Sequence, residues 1–163
     1  MVPATAAALP PRTDAVPVQH LCDLSVDLQP VQMIGTATGT RLTFVIAGGK
    51  VTGPAVRGEL LPGGGDWLRV GSDGVGRVDV RATIRSHDGA LIHLESRGVI
   101  KVPADGFGRL LEGRALPYAE TYVRTTPVFD TDDDRYAWLS QVVAVGYNVL
   151  SPNRVDYRIY RLL

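Results

Sequence analysis

The sequence predicts an all-β chain that closes into a small antiparallel β-barrel of calycin-like appearance, with at most one or two short helices. Three observations carry this reading. Turn signals recur at short intervals: Gly48-Gly49, Gly53-Pro54, Pro62-Gly63-Gly64-Gly65-Asp66, Ser72-Asp73-Gly74, Asp88-Gly89, Pro103-Ala104-Asp105-Gly106 and Ser151-Pro152-Asn153. The runs between them are rich in Val, Ile, Thr, Leu and Tyr, which suit a pleated, half-buried surface. Regular short runs with glycine-rich turns indicate a sandwich or barrel rather than βαβ units.

The chain opens with an Ala/Pro-rich arm, residues 1–17, in which Pro3, Pro10, Pro11 and Pro17 oppose any helix. It has neither the basic start nor the unbroken apolar stretch of a signal peptide, so a disordered arm before a cytoplasmic domain is expected. Residues 18–163 then form one domain. Strands are expected over Leu21–Leu28, Gln32–Ala37, Arg41–Ala47, Gly49–Gly53, Val56–Leu61, Asp66–Val70, Val75–Ser86, Leu91–Val102, Tyr118–Pro127, Ser140–Asn148 and Val155–Arg161. Asp88-Gly89 joins the two longest and suits a type I′ hairpin, and Gly48-Gly49 can do the same. A short helix is expected after Thr131, with Asp132, Asp133 and Asp134 in its first turn and Tyr136 and Leu139 on one face.

Composition narrows the function. The 163 residues carry 17 basic and 17 acidic side chains, so nucleic acid is not the expected partner. No apolar run approaches a membrane span, and no membrane partner is expected. Cys22 is the only cysteine, which excludes an intrachain disulfide and a thiolate zinc site. Nothing in the sequence near Cys22 would lower its pKa for catalysis. His20, His87 and His93 lack ligand spacing. Asp130, Asp132 and Asp134 imitate the start of a calcium loop, but Arg135 stands where glycine is required and Gln141 where the bidentate acid belongs. No metal and no cofactor is expected.

The long hairpin is the most informative segment. Asp79, Arg81, Thr83 and Arg85 share one face of the first strand; Val78, Val80, Ala82 and Ile84 share the other. Alternation leaves two placements for the charged face, bulk water or a polar barrel lumen.

Three stretches resemble the DUF3237 proteins, also called the UPF0311 family. They are Pro62-Gly63-Gly64-Gly65-Asp66-Trp67; Asp79-Val80-Arg81 running into Asp88-Gly89-Ala90; and Arg124-Thr125-Thr126-Pro127-Val128-Phe129-Asp130 leading to Tyr136-Ala137-Trp138-Leu139. The resemblance spans the chain from Leu21 to the C-terminus. It implies a calycin-like β-barrel and no settled activity.

The candidate catalytic residues are Asp79, Arg81 and Tyr122. If the charged face is inward, Asp79 can abstract a proton beside a carbonyl while Arg81 holds the enolate; facing outward, the pair is an ordinary salt bridge. Tyr122 can donate a proton from a dry site. Arg124, on the same strand face as Tyr122, is a second anion clamp, and Trp67, Tyr136 and Trp138 are aromatic residues that can stack on a flat ligand at a barrel mouth or plug its end. The expected function is a cofactor-free acid–base enzyme (isomerase, lyase or cyclase) acting on a carbonyl-rich metabolite in the barrel. The alternatives are a non-catalytic binder of small molecules and a module with a solid core. The expected partner is a small-molecule ligand, with homo-oligomers possible.

Overall fold

The computed structural model describes residues 10–163. The strands are β1 (Val18–Leu28), β2 (Gln32–Thr36), β3 (Gly39–Thr52), β4 (Gly58–Leu60), β5 (Gly65–Gly71), β6 (Gly76–Ser86), β7 (Leu91–Lys101), β8 (Tyr122–Asp130), β9 (Ala144–Ser151) and β10 (Arg154–Leu162). One α-helix, α1 (Gly106–Leu111), follows β7. Short 3-10 turns occupy Tyr118–Glu120 and Ala137–Gln141. Among the described residues no helix is long and apolar enough to cross a membrane.

Every pairing is antiparallel, and the sheet closes because β3 bonds β1 as well as β4 and β5. The ten strands make eight staves. β1 and β2 lie end to end along one side of β3, and β4 and β5 lie end to end along the other. Closure pairs every strand on both sides except β2, which bonds β3 alone.

Two expectations about turns are corrected. Gly48-Gly49 does not turn the chain: β3 runs through it from Gly39 to Thr52. Glycine is needed there for close approach, since a Cβ on Gly49 would lie 2.3 Å from the Ser25 carbonyl oxygen. The Asp88-Gly89 hairpin exists, but only Gly89 has a positive φ, of 92°, so the turn is not type I′. The helix expected after Thr131 is the 3-10 turn Ala137–Gln141, and the α-helix instead follows Pro103-Ala104-Asp105-Gly106, where a turn was expected.

Period-two alternation sorts the walls. β6 buries Val78, Val80, Ala82 and Ile84, and β8 buries Val123, Thr125, Pro127 and Phe129. One end of the barrel is filled by Leu21, Cys22, Ile84, Ile92, Phe129, Tyr136 and Leu139, among others. A second cluster, around Leu42, Leu68, Val78, Ile100, Leu116 and Leu150, lines the other end, where Phe107 and Leu110 of α1 pack on it. The β8–β9 ladder is short, pairing only Arg124 with Tyr147 and Thr125 with Gly146. Pro127 stands just beyond it on β8, where a residue without an N–H cannot extend the ladder.

Candidate functional site

The structure takes the outward of the two placements left open for the charged face of β6, so Asp79 and Arg81 do not point into a pocket. Both project from the outer wall, 3.3 Å apart as an ion pair, with Arg97 3.5 Å from the same Asp79 oxygen. The cause lies in the opposite face of β6, whose four aliphatic side chains take the interior. Placing unpaired charges there would cost far more than burying valine. Trp67 is outside as well, 42% exposed, with the Arg81 guanidinium 5.7 Å from its ring centre.

The other predicted residues do not gather into one pocket either. Arg124 lies on the outer wall among three phenol rings, 4.5 Å from Tyr147, 4.7 Å from Tyr122 and 5.1 Å from Tyr118, and donates to the Tyr118 hydroxyl at 2.8 Å. That box is filled by its own arginine and ties the Tyr118–Glu120 turn to β8 and β9. Tyr136 is buried at the filled end of the barrel, its hydroxyl donating to Asp88 at 3.0 Å. Trp138 packs against the same core, with Arg161 5.6 Å from its ring. The structure therefore scatters the predicted set over the outer wall and one plugged end.

What the barrel does enclose is a cavity of about 260 Å³. Its walls are mostly aliphatic, including Leu24, Val26, Leu42, Ile46, Leu68 and Val80, with Phe44 and Phe107. Val31, Met33, Leu111 and the turn Ser151–Asn153 also line it, near its α1 end. Seven polar side chains interrupt this lining: Thr40, Asp66, Ser96, Asn148, Ser151, Asn153 and Tyr157. Among the lining residues there is no Arg, Lys or His.

Asp66 reaches the interior because of the glycines before it. A Cβ on Gly64 would lie 2.4 Å from the Arg81 carbonyl oxygen, and one on Gly65 would lie 2.6 Å from that of Phe44. Only bare backbone lets β5 enter the wall so closely between β3 and β6. Asp66 then pairs with Val80 on β6 and Phe44 on β3, both lining the cavity, and so shares their face. The β5–β6 ladder lapses opposite Trp67 and Leu68, and there Asp66 Oδ1 accepts the Asp79 backbone N–H at 2.9 Å. Burial raises the Asp66 carboxyl to about 6; the hydrogen bond from Asp79 N–H lowers it and the Asp79 carboxylate raises it, each by less.

Tyr157 on β10 pairs with Asn148 on β9 and Leu24 on β1. Its phenol is held well above the usual range by burial and then by the Asp66 carboxylate, so it remains a proton donor. Asn148 is buried, and its Oδ1 accepts from Thr125 Oγ1 at 3.5 Å. Gly146 makes room for that hydroxyl, since a Cβ there would lie 2.4 Å from it. Ser96 pairs with Val80 on one side and Pro127 on the other, which sets it on the same rung as Asp66. Its Oγ is buried without a hydrogen-bond partner among the described residues. A carboxyl near neutrality, a protonated phenol and an uncommitted hydroxyl in a mostly apolar space can take up and return a proton on a bound molecule.

Sequence reasoning missed this set. Asp66 ends a glycine-rich run in the sequence, and its signal is the demand of consecutive glycines for close backbone approach. Tyr157 and Asn148 carried no local signal; only closure of β9 and β10 against the barrel brings them together. Cys22 is fully buried in the filled end, and burial, then Asp23, pushes its thiol up to about 12, which leaves it unreactive.

Solved structures show the same architecture. A protein from Rhodopseudomonas palustris superposes with a TM-score of 0.86 at 26% identity, covering 93% of this chain and 100% of that one. A β-barrel-like protein from Acinetobacter baumannii gives 0.75 at 33% identity, with the same coverage of each chain. An enzyme from Penicillium herquei, 20% identical with a TM-score of 0.68, covers 95% of this chain and all of its own, and shares the fold. By sequence, a UPF0311 protein of Clostridium acetobutylicum is 32% identical over 124 residues, 76% of this chain and 78% of its own length. A UPF0311 protein of R. palustris is 29% identical over 126 residues, 77% of this chain and 82% of its own. The family model described as protein of unknown function DUF3237 matches residues 16–162, and the chain belongs to that family.

Proposed function

We propose that this chain is a cofactor-free acid–base enzyme acting on a small carbonyl-bearing molecule held inside the barrel. The observation that carries this reading is a carboxyl and a phenol, each half-buried on the wall of one mostly apolar cavity, the carboxyl raised to about 6 by desolvation there. Asp66 is the base: its ionised oxygen takes a proton from the carbon next to the carbonyl. The electron pair moves onto the carbonyl oxygen, where Tyr157 donates a hydrogen bond to the enolate. Return of the proton to another atom, or to the opposite face of the same carbon, completes an isomerisation; attack of the enolate carbon on a second carbonyl of the same molecule, with Asp66 returning its proton to the alkoxide so formed, completes a cyclisation. A pKa close to the working pH suits a group that must both accept and release a proton.

A non-catalytic binder is the second reading, favoured by the overwhelmingly aliphatic lining. Hydrogen–deuterium exchange separates the two. With 2-tetralone in D₂O as probe, the full chain is expected to speed loss of the protons next to the carbonyl, followed by NMR. Asp66→Asn should slow that exchange by roughly 100-fold or more, as loss of a general base does. Binding of 2-tetralone with exchange no faster than in buffer would leave the binder.

A further inference from the structure

The lining of the cavity constrains the charge of what enters it. Of the thirty-odd wall positions, Asp66 is the single carboxylate, and no basic side chain accompanies it. An anionic ligand would find no counter-charge and would meet Asp66. A cationic ligand would find one carboxylate but would have to surrender its hydration in an aliphatic chamber, and burying a charge pair there costs more than the pair returns. A neutral molecule avoids both penalties.

The polar groups constrain its shape. Asp66 Oδ1 is committed to the Asp79 N–H, and among the described residues no other hydrogen bond acts on this carboxyl. The free oxygen therefore wants a donor. Ser96 lies two strands away on the same rung, about 10 Å along the wall by strand spacing, with an Oγ that no group among the described residues satisfies. Buried hydroxyls are nearly always paired in native proteins, so one left open beside a cavity marks a place for a ligand or water.

Resting on the proposed acid–base reading, we infer that the ligand is an uncharged, largely apolar ring compound that carries an acidic O–H, phenolic or enolic, directed at the free oxygen of Asp66. At close-packed density the cavity takes roughly a dozen non-hydrogen atoms, the size of a bicyclic molecule.

Four bicyclic probes of matched size test this by fluorescence titration of the full chain: 2-naphthol, naphthalene, 2-naphthoate and 2-naphthylmethylammonium. The naphthol is expected to bind about tenfold or more tighter than naphthalene through its charge-assisted bond to Asp66. The naphthoate should bind weakest. Asp66→Asn keeps an acceptor for the Asp79 N–H, and should weaken naphthol about tenfold while changing naphthalene less than about twofold. Titration of the unaltered chain gives an independent check. Naphthol affinity should fall as pH drops through about 6, with no such fall for naphthalene. Asp79 on β6 and Tyr157 on β10 are the ionisable groups acting on Asp66, while β3 presents Phe44. Tightest binding by the anion or the cation would overturn the inference, as would naphthol affinity indifferent to both substitution and pH. If no probe binds, the cavity is not a ligand site, and the proposed function falls with the inference.

Discussion

Asp66 pays for its position with stability. A carboxyl of ordinary pKa near 3.8 in the unfolded chain and about 6 in the folded one is protonated in the native state over a window where the unfolded state has lost the proton. Stability is therefore highest below that window, falls as pH rises from about 4 to about 6, and stays lower above it. Two pH units correspond to about 3 kcal/mol, an upper figure for a group with cavity exposure. Asp66→Asn is expected to raise the unfolding midpoint at pH 8 and to flatten its slope between pH 4 and 6, by thermal scans across that range. Asp79→Asn is the contrasting variant. Its ion pairs with Arg81 and Arg97 lie on the open wall, where such contacts contribute about 0–1 kcal/mol. It should leave both the midpoint at neutral pH and the tetralone exchange nearly unchanged, and a large loss of exchange in this variant would move the base from Asp66 to Asp79.

At the scale of the element, the Asp88-Gly89 hairpin and the acidic segment after Thr131 act as one latch. Asp88 accepts from Ser86 Oγ at 2.5 Å and from the Tyr136 hydroxyl at 3.0 Å, and pairs with Arg135 at 2.9 Å. Arg135 in turn holds Asp133 at 2.7 Å. Tyr136 and Leu139 are thereby pinned into the filled end of the barrel. The hydrogen bond from Ser86, then that from Tyr136 and the charge of Arg135, hold the Asp88 carboxyl below its usual range. Its contribution is thus present above the ordinary carboxylate range and lost as pH falls through the depressed value. Asp88→Ala is expected to loosen residues 131–141, read as faster amide hydrogen exchange in that segment than in β6 and β7. Equal protection in the variant and the native chain would show that apolar packing alone holds the segment. The latch makes the Asp88-Gly89-Ala90 and Tyr136-Ala137-Trp138-Leu139 stretches two halves of one closure.

At the scale of the molecule, the barrel is closed by its two termini. β10 pairs with β1 along Val18–Asp27, and the Leu163 N–H donates to the Pro17 carbonyl at 3.0 Å. The arm expected over residues 1–17 therefore ends on a contact with the last residue; residues 1–9 of it lie outside the described residues. β10 also carries Tyr157 and the buried Ile159. Removing residues 154–163 opens two ladders at once and exposes the core of both neighbouring staves. The truncated chain is expected to lose its β-sheet circular dichroism and its compact elution volume, whereas an independently stable remnant would keep both.

Composition, turn spacing and alternation determined the class of fold, because each acts through neighbours in the chain. Turn residues set local φ angles, β-branched runs set extended backbone, and period two separates Val78, Val80, Ala82 and Ile84 from Asp79, Arg81 and Arg85 whatever the surroundings. The resemblance of Pro62–Trp67, Asp79–Ala90 and Arg124–Leu139 to the DUF3237 proteins was equally legible. Which face looks inward was not, since alternation is symmetric until a core exists to choose the aliphatic side. The true interior set was hidden for a further reason. Asp66, Ser96, Asn148 and Tyr157 come from four strands, and each is a single polar residue on an otherwise apolar face. Only the register of β5 on β6, of β6 on β7 and of β9 on β10 sets them around one cavity, and only burial in that cavity gives Asp66 and Tyr157 their shifted acidities.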